Sequence, residues 1–333
     1  MPTPAPVYPR LLADVGGTNA RFAWASTADA PLSVIANYRC ADHGSLHAAI
    51  SQYLRDHDRP APQACAIGIA NPVLGDEVRM TNHHWSFSIS QLKTHLAVAR
   101  LAVVNDFTAL ALSLPALPAA QLRQIGGGQA SIGEPLAVLG PGTGLGVSGL
   151  LALADGHYVP VAGEGGHTTL APNDEQEAAV IALLRQRFGH ASAERALSGP
   201  GLVNLHAAAA GLAGRPAQDL TPAEVITRAR EQDDPLCRTA IDLFCRFLGS
   251  VAGNLALTLG ARGGVYVGGG IAPRLLPELT SSRFRERFEG KGRFKGYLGA
   301  IPTLVIDAAE SPALIGASRA LDIDRFCAPA LRA

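Results

Sequence analysis

Two apolar runs that each break at a cluster of glycines and then resume constrain this chain most. The first reads Arg10-Leu11-Leu12-Ala13-Asp14-Val15, then Gly16-Gly17, then Ala20 to Ala25. The second reads Leu136 to Leu139, then Gly140-Pro141-Gly142-Thr143-Gly144, then Gly146 to Leu153. Each is a strand, a glycine turn and a returning strand. The recurrence suggests an internal duplication, carried by backbone logic more than by matching residues. Adjacent glycines permit positive φ and remove Cβ, so backbone N–H groups can converge on a phosphate oxygen. The first turn is equally compatible with a plain hairpin. The second holds more glycine than a hairpin needs, which makes sense where backbone approaches a ligand closely. Neither has the spacing of a P-loop, a Rossmann fingerprint or a protein-kinase loop.

The rest of the pattern alternates strands with helices, which indicates an α/β protein. Ser45 to His57 is an amphipathic helix with Ser45 as N-cap and Leu46, Ala49, Ile50, Tyr53 and Leu54 on one face. Ala64 to Ala70 is a strand and Ser90 to Leu96 a short helix. After residue 170 helices dominate, at roughly 174–188, 200–210, 222–231 and 235–260. Strands at Gly263 to Val267 and Ile301 to Ile306 follow, then a helix from Ser311 to Leu321 with Ser311 as N-cap and Pro312 at its first position. The strand-rich first third and helix-rich remainder suggest two lobes. Their boundary falls between residues 107 and 135, near Pro115, Pro118 and Gly126-Gly127-Gly128.

Several polar residues sit where chemistry is done. Asp14 precedes the first turn and is placed to hold Mg²⁺, directly or through water, while Thr18 adds a hydroxyl. The strand Arg100 to Val104 delivers Asn105-Asp106 at its C-terminal end, where open α/β sheets bind ligands. Asp106 there is either a proton acceptor for a substrate hydroxyl or the N-cap of a helix from Phe107 to Leu114. Gly163-Glu164-Gly165-Gly166-His167 frames two groups able to bind vicinal hydroxyls. Glu194 lies near a helix start, where a surface carboxylate is also ordinary. Gly268-Gly269-Gly270 follows a strand and could let a base or ribose lie flat. Thr81-Asn82-His83-His84-Trp85 reads as a polar loop that lines a sugar site or simply connects elements.

Bulk properties exclude other classes. The 28 basic and 28 acidic residues leave no net charge and hence no electrostatic footprint for nucleic acid or an anionic membrane. Arg283 to Lys295 is interleaved with Glu286 and Glu289 and reads as a solvated face. Five cysteines, Cys40, Cys65, Cys237, Cys245 and Cys327, are widely spaced, arguing against a disulfide framework or thiolate zinc site and fitting a reducing cytosol. The proline-rich stretch Met1 to Pro9 lacks a signal pattern and reads as a disordered arm. No apolar run reaches the ~18 residues of a membrane span; Leu243 to Leu259 comes closest and reads as a buried core helix.

Asp14-Val15-Gly16-Gly17-Thr18-Asn19-Ala20-Arg21, Asn105-Asp106-Phe107-Thr108-Ala109, Gly142-Thr143-Gly144-Leu145-Gly146, Gly163-Glu164-Gly165-Gly166-His167 and Ser192-Ala193-Glu194-Arg195 together resemble bacterial glucokinases, from about residue 11 to residue 320. The resemblance implies an α/β fold of the actin-like ATPase (ribonuclease H-like) type shared with hexokinases, with two lobes around a cleft. It implies a smaller lobe of residues 1–115 and 308–333 and a larger one of residues 116–307. ATP, with Mg²⁺, would meet Ala13, Asp14, Val15, Gly16, Gly17 and Thr18, and Gly142, Thr143 and Gly144 through Gly146. Gly268, Gly269 and Gly270 would face the adenosine. Asn105, Asp106, Glu164, His167 and Glu194 would hold glucose, with Asp106 as base. A related branch of repressors and sugar kinases often carries a cysteine zinc motif after Glu-x-Gly-His. Here Thr168 to Asn173 contain no cysteine, so the resemblance is to the non-zinc, enzymatic branch and no zinc is expected. Thirteen residues precede Asp14, so no DNA-binding domain is expected there. The implied protein is a cytoplasmic homodimer acting on small molecules, without nucleic-acid or membrane partners.

Overall fold

The apolar runs before residue 106 join in one sheet, and those after residue 121 join in another. The computed structural model describes residues 6–81 and 83–328. Asn82 of the polar loop, the first five residues of the proline-rich arm and the last five of the chain lie outside the described residues. The chain divides into two units. One comprises the chain up to Leu117 and from Ala308 onward, the other Pro118–Asp307.

The strands of the first unit are β1 (Arg10–Val15), β2 (Asn19–Ala25), β3 (Ser33–Arg39), β4 (Ala64–Ile69), a small hairpin of β5 (Glu77–Arg79) and β6 (Ser86–Ser88), and β7 (Arg100–Asn105). The main sheet runs β3-β2-β1-β4-β7. β1, β2 and β3 form an antiparallel meander, while β4 and β7 run parallel to β1. The second unit holds β8 (Leu122–Ile125), β9 (Leu136–Pro141), β10 (Leu145–Ala152), β11 (Tyr158–Gly163), β12 (Gly264–Val267) and β13 (Thr303–Ile306), ordered β11-β10-β9-β12-β13-β8. Without the antiparallel edge strand β8, this order repeats the first. A meander of β9, β10 and β11 is again followed by two strands parallel to its first. The short or half-exposed strands β3, β5, β6, β8 and β11 have no counterpart in the sequence reading.

The helices are α1 (Leu46–Asp56), α2 (Ile89–Leu96), α3 (Asp106–Ser113), α4 (Glu175–Phe188), α5 (Gly199–Leu212), α6 (Pro222–Glu231), α7 (Pro235–Leu259), α8 (Leu276–Ser281), α9 (Phe284–Glu289), α10 (Lys295–Gly299) and α11 (Ala313–Ala320). Ser45 caps α1 by accepting the Ala48 N–H at 3.1 Å. α2 starts one residue earlier than expected because Ser88 caps it, while the Ser90 N–H and hydroxyl both donate to Asp76. Each unit has its own core. In the first, Leu11, Phe22, Ile50, Tyr53, Ile67 and Trp85 pack together. In the second, Phe244 and Phe247 of α7 pack in one core with Leu139, Leu202 and Val265. By length and composition alone α7 is apolar enough to cross a membrane, but most of it is buried in this core.

The segment Arg283 to Lys295 is a solvated face only in part, with Arg283, Glu286 and residues 292–295 exposed. Phe284 and Phe288 are fully buried, and the Arg285 and Arg287 side chains are only 13 % and 11 % exposed. Arg285 donates to the carbonyls of Leu298, Gly299 and Ile301. Arg287 and Arg246 converge on Glu177, which is fully buried and accepts from Arg246 Nε at 3.0 Å, Arg287 at 2.9 Å and the Asn173 N–H at 2.7 Å. Asp174 bonds both guanidinium groups as well. Glu177→Ala removes the buried carboxylate that Arg246 and Arg287 share, leaving Asp174 for both and Asp242 for Arg246 alone. Breaking a buried pair from one side costs about 3–5 kcal/mol. A urea unfolding midpoint close to that of the unaltered protein would contradict this assignment.

Candidate active site

In the first unit, three parallel strands end level with one another. Val15 pairs with Ile69, and Ile69 with Asn105. The sequence at these ends is Asp14-Val15 on β1, Gly68-Ile69 on β4 and Asn105-Asp106 after β7. Asp14 lies opposite Gly68. A Cβ on Gly68 would sit 3.2 Å from Ala109 Cβ and 3.9 Å from Asp106 Cα, so the bare backbone there lets α3 begin close against β4.

Asp106 is the first residue of α3 and not its cap, which corrects one of the two readings left open for it. The cap is Asn105, whose Oδ1 accepts the N–H groups of Phe107 at 2.9 Å and Thr108 at 3.3 Å. Asp106 Oδ1 also accepts from Phe107 N–H at 2.9 Å. With Asn105 satisfying the helix start, Asp106 is held at the positive end of α3, where a carboxylate is favoured.

Asp14 has beside it a residue expected from the sequence to cap a helix. Ser311 does not cap α11; Pro312 occupies the cap position and no side chain bonds there. The Ser311 side chain lies beside the Asp14 carboxyl instead. Burial pushes the Asp14 pKa up, opposed by the Ser311 hydroxyl and by Arg21. A shielded carboxylate of this kind is stabilised by an arriving cation, so Asp14 fits a divalent metal. In the adjoining turn, the Gly16 N–H donates to the Asn19 carbonyl at 2.9 Å, and the Thr18 carbonyl accepts from Cys40 N–H at 2.9 Å. The N–H groups of Gly17 and Thr18 have no backbone acceptor among the described residues. They remain available to an anion.

The second unit gathers the other glycine turns. β9 continues through Pro141, leaving Gly142-Thr143-Gly144 as the turn, closed by Gly142 N–H donating to the Gly144 carbonyl at 2.8 Å. Neither Gly142, Gly144 nor Gly16 adopts positive φ, so conformational freedom is not why glycine stands there. At Gly144 the reason is contact, since a Cβ would overlap Glu194 Oε2. Gly269 does require glycine, with φ of +77° and its α-carbon packed on the Pro141 carbonyl. Gly268 N–H donates to Leu139 and Ile271 N–H to Pro141, so the 268–271 turn lies against the end of β9. The start of α5 joins them. Ser198 caps it by accepting the Gly201 N–H at 2.9 Å, and Gly199 N–H donates to the Gly142 carbonyl at 2.8 Å.

Glu164 precedes and His167 ends one 3₁₀ turn, Gly165–His167, and both are exposed. Gly166 packs on the Leu145 carbonyl with no room for Cβ. Glu194 is not an ordinary first-turn carboxylate, because its Oε2 accepts the Leu145 N–H at 2.9 Å. Glu164, His167, Glu194 and the turn at 142–144 therefore share one neighbourhood. In the polar loop, Trp85 is 2 % exposed and donates its indole N–H to the His43 carbonyl at 2.9 Å. It is a core residue of the first unit.

Gly68, Ser198 and Ser311 are the residues of this arrangement that the sequence reading did not single out in these roles. Ser198-Gly199-Pro200 carries a helix-start signal, serine then proline in the first turn. Nothing local marks Gly68 or the placement of Ser311 beside Asp14.

Two β-meanders, each followed by strands parallel to its first and each presenting a glycine turn, define an actin-like fold. The comparisons agree. The Glucokinase family model matches residues 11–323. A glucokinase of Aromatoleum aromaticum is 56% identical over 316 residues, covering 95% of this chain and 95% of its own. One of Campylobacter jejuni is 46% identical, covering 95% and 94%. A solved glucokinase from an Antarctic psychrotroph superposes with a TM-score of 0.87 at 37% identity, covering 94% of this chain and 98% of the other. A ROK family glucokinase from Streptomyces griseus, solved with glucose and AMPPNP, shares the fold at a TM-score of 0.60 and 18% identity, covering 94% and 98%. The chain belongs to the glucokinase family.

Proposed function

We propose that this chain transfers the γ-phosphoryl group of ATP to O6 of D-glucose, giving glucose 6-phosphate and ADP. The observation that carries the reading is the level ending of β1, β4 and β7. It sets an N–H-lined turn and Asp14 at the end of one strand, and Asp106 at the start of α3, directly after a strand two places away. Glucose as the sugar is supported by curated relatives that are glucokinases at up to 56% identity over most of the chain. In the proposed reaction, Asp106 takes the proton of the O6 hydroxyl as O6 bonds to the γ-phosphorus. The bond from that phosphorus to the β–γ bridging oxygen breaks, and ADP leaves with the electron pair. Asn105, Glu164, His167 and Glu194 bind the other sugar hydroxyls. Backbone N–H groups of residues 13–18 and 142–144 receive the phosphates, and residues 268–271 the adenosine. Asp14 would hold Mg²⁺, directly or through water; when bound, the cation neutralises phosphate charge. No zinc is part of this reading, since residues 168–173 offer no thiolate.

Steady-state ADP release with Mg²⁺, ATP and glucose, mannose, fructose or galactose tests the sugar. Hydroxyl-reading sites discriminate by up to about 10⁴ when a polar group is left unpaired. Glucose is expected to show the highest kcat/KM, and a higher value with another hexose would replace the substrate. Five free thiols, four of them buried, support a reducing cytoplasm. A homodimer is the assembly implied by the family resemblance, and light scattering showing a monomer would remove it.

A further inference from the structure

We infer that Glu194 couples sugar binding to nucleotide binding by holding the second phosphate turn with one carboxylate oxygen and a sugar hydroxyl with the other. This rests on the glucokinase reading above and extends it to how the two substrates sense each other. All the observations lie within Pro118–Asp307.

Glu194 Oε2 accepts the Leu145 N–H at 2.9 Å, directly after the turn. Its other oxygen, Oε1, has no protein hydrogen bond among the described residues, and the residue is partly exposed. The backbone bearing this carboxylate is fixed on two sides. The Glu194 carbonyl accepts from Ser198 Oγ at 2.8 Å, and the next residue, Gly199, donates its N–H to the Gly142 carbonyl at 2.8 Å. Ala193 N–H donates to the Thr168 carbonyl at 2.9 Å, tying the same segment to the residue after His167. Residues 194–199 therefore hold the phosphate turn at both of its ends, Gly142 and Leu145. A displacement of Glu194 cannot leave that turn unmoved.

A carboxylate held by one N–H retains side-chain freedom, and a second bond from a sugar O–H removes it. The turn is then ordered before the nucleotide arrives, so the nucleotide gives up less entropy on binding. Such coupling is reciprocal: glucose tightens nucleotide by the factor that nucleotide tightens glucose.

The test is calorimetric titration of Mg²⁺–AMPPNP with and without saturating glucose. The unaltered protein is expected to bind AMPPNP about tenfold more tightly with glucose, within the usual range of site-to-site coupling. Glu194→Ala is expected to lose that difference and to bind AMPPNP more weakly even without sugar. Glu194→Gln retains an amide oxygen for Leu145 N–H but presents a donor where the sugar needs an acceptor. It is expected to keep sugar-free AMPPNP affinity while glucose binding weakens. Gly144→Ala drives the carboxylate from its place and is expected to raise the KM for glucose, although it alters the nucleotide turn. If Glu194→Ala weakens glucose alone, or the unaltered protein shows no glucose dependence, the coupling is overturned while the sugar role stands. If neither Glu194 variant alters glucose binding, the sugar role itself is lost. Should Glu194→Ala fail to fold by circular dichroism, Glu194→Gln and Gly144→Ala decide: sugar-free affinity lost in the first, or a glucose KM unmoved in the second, overturns the coupling.

Discussion

Asp106→Asn is expected to lower kcat with glucose by about 10²–10⁴-fold while the KM for glucose changes little, the range typical of a positioned general base. The asparagine is nearly isosteric. Its side-chain oxygen can still accept the Phe107 N–H, and Asn105 still caps α3 through Phe107 and Thr108. The helix start and the level of the strand ends should therefore persist. What is removed is the ability to accept the O6 proton. Steady-state kinetics with melting temperature measured in parallel check this. A kcat close to that of the unaltered protein would remove Asp106 as base, and a large fall in melting temperature would recast it as a structural carboxylate.

Asp14→Asn separates activity from stability in opposite directions. Burial raises the Asp14 pKa in the folded protein, so at neutral pH the ionised carboxylate costs stability. Between the ordinary carboxylate range and the raised value, the folded state binds more protons than the unfolded state, and stability falls as pH rises through that window. Asparagine keeps an acceptor for Ser311 and carries no charge. The variant is expected to melt higher than the unaltered protein at neutral pH, with the gap closing in acid, where both side chains are neutral. Its turnover is expected to fall by about 10²-fold or more, because charge stabilisation by a bound metal is worth several kcal/mol. Addition of Mg²⁺–AMPPNP should raise the melting temperature of the unaltered protein more than that of the variant. Full activity in Asp14→Asn, or a lower neutral melting temperature, would contradict the role given to Asp14.

Features legible in the sequence were local ones. Apolar runs at 10–15, 64–70, 100–104 and 136–139 announce buried strands, Ser45 announces a helix start, and the glycine turns announce close backbone approach. Strands β3 and β8 escaped because their residues are half exposed and mix polarity, as Ser33 to Arg39 shows. Arg283 to Lys295 was misjudged because composition does not reveal that Arg287 finds Glu177, 110 positions away. The same distance problem hid Ser311 beside Asp14 and Leu145 beneath Glu194. In the site, residue types could be nominated from sequence, but the hydrogen bonds that orient them are made by partners remote along the chain. The glycine turns illustrate this most sharply. Gly144 is glycine because Glu194 occupies the space of its side chain, a reason that only the folded chain exposes.

The most direct measurement is ³¹P NMR of the protein with ATP, Mg²⁺ and glucose. The γ-phosphoryl resonance is expected to be replaced by that of glucose 6-phosphate as ADP accumulates, and omitting the sugar is expected largely to stop ATP consumption. Release of inorganic phosphate alone, or a phosphate ester at a position other than O6, would contradict the proposed reaction.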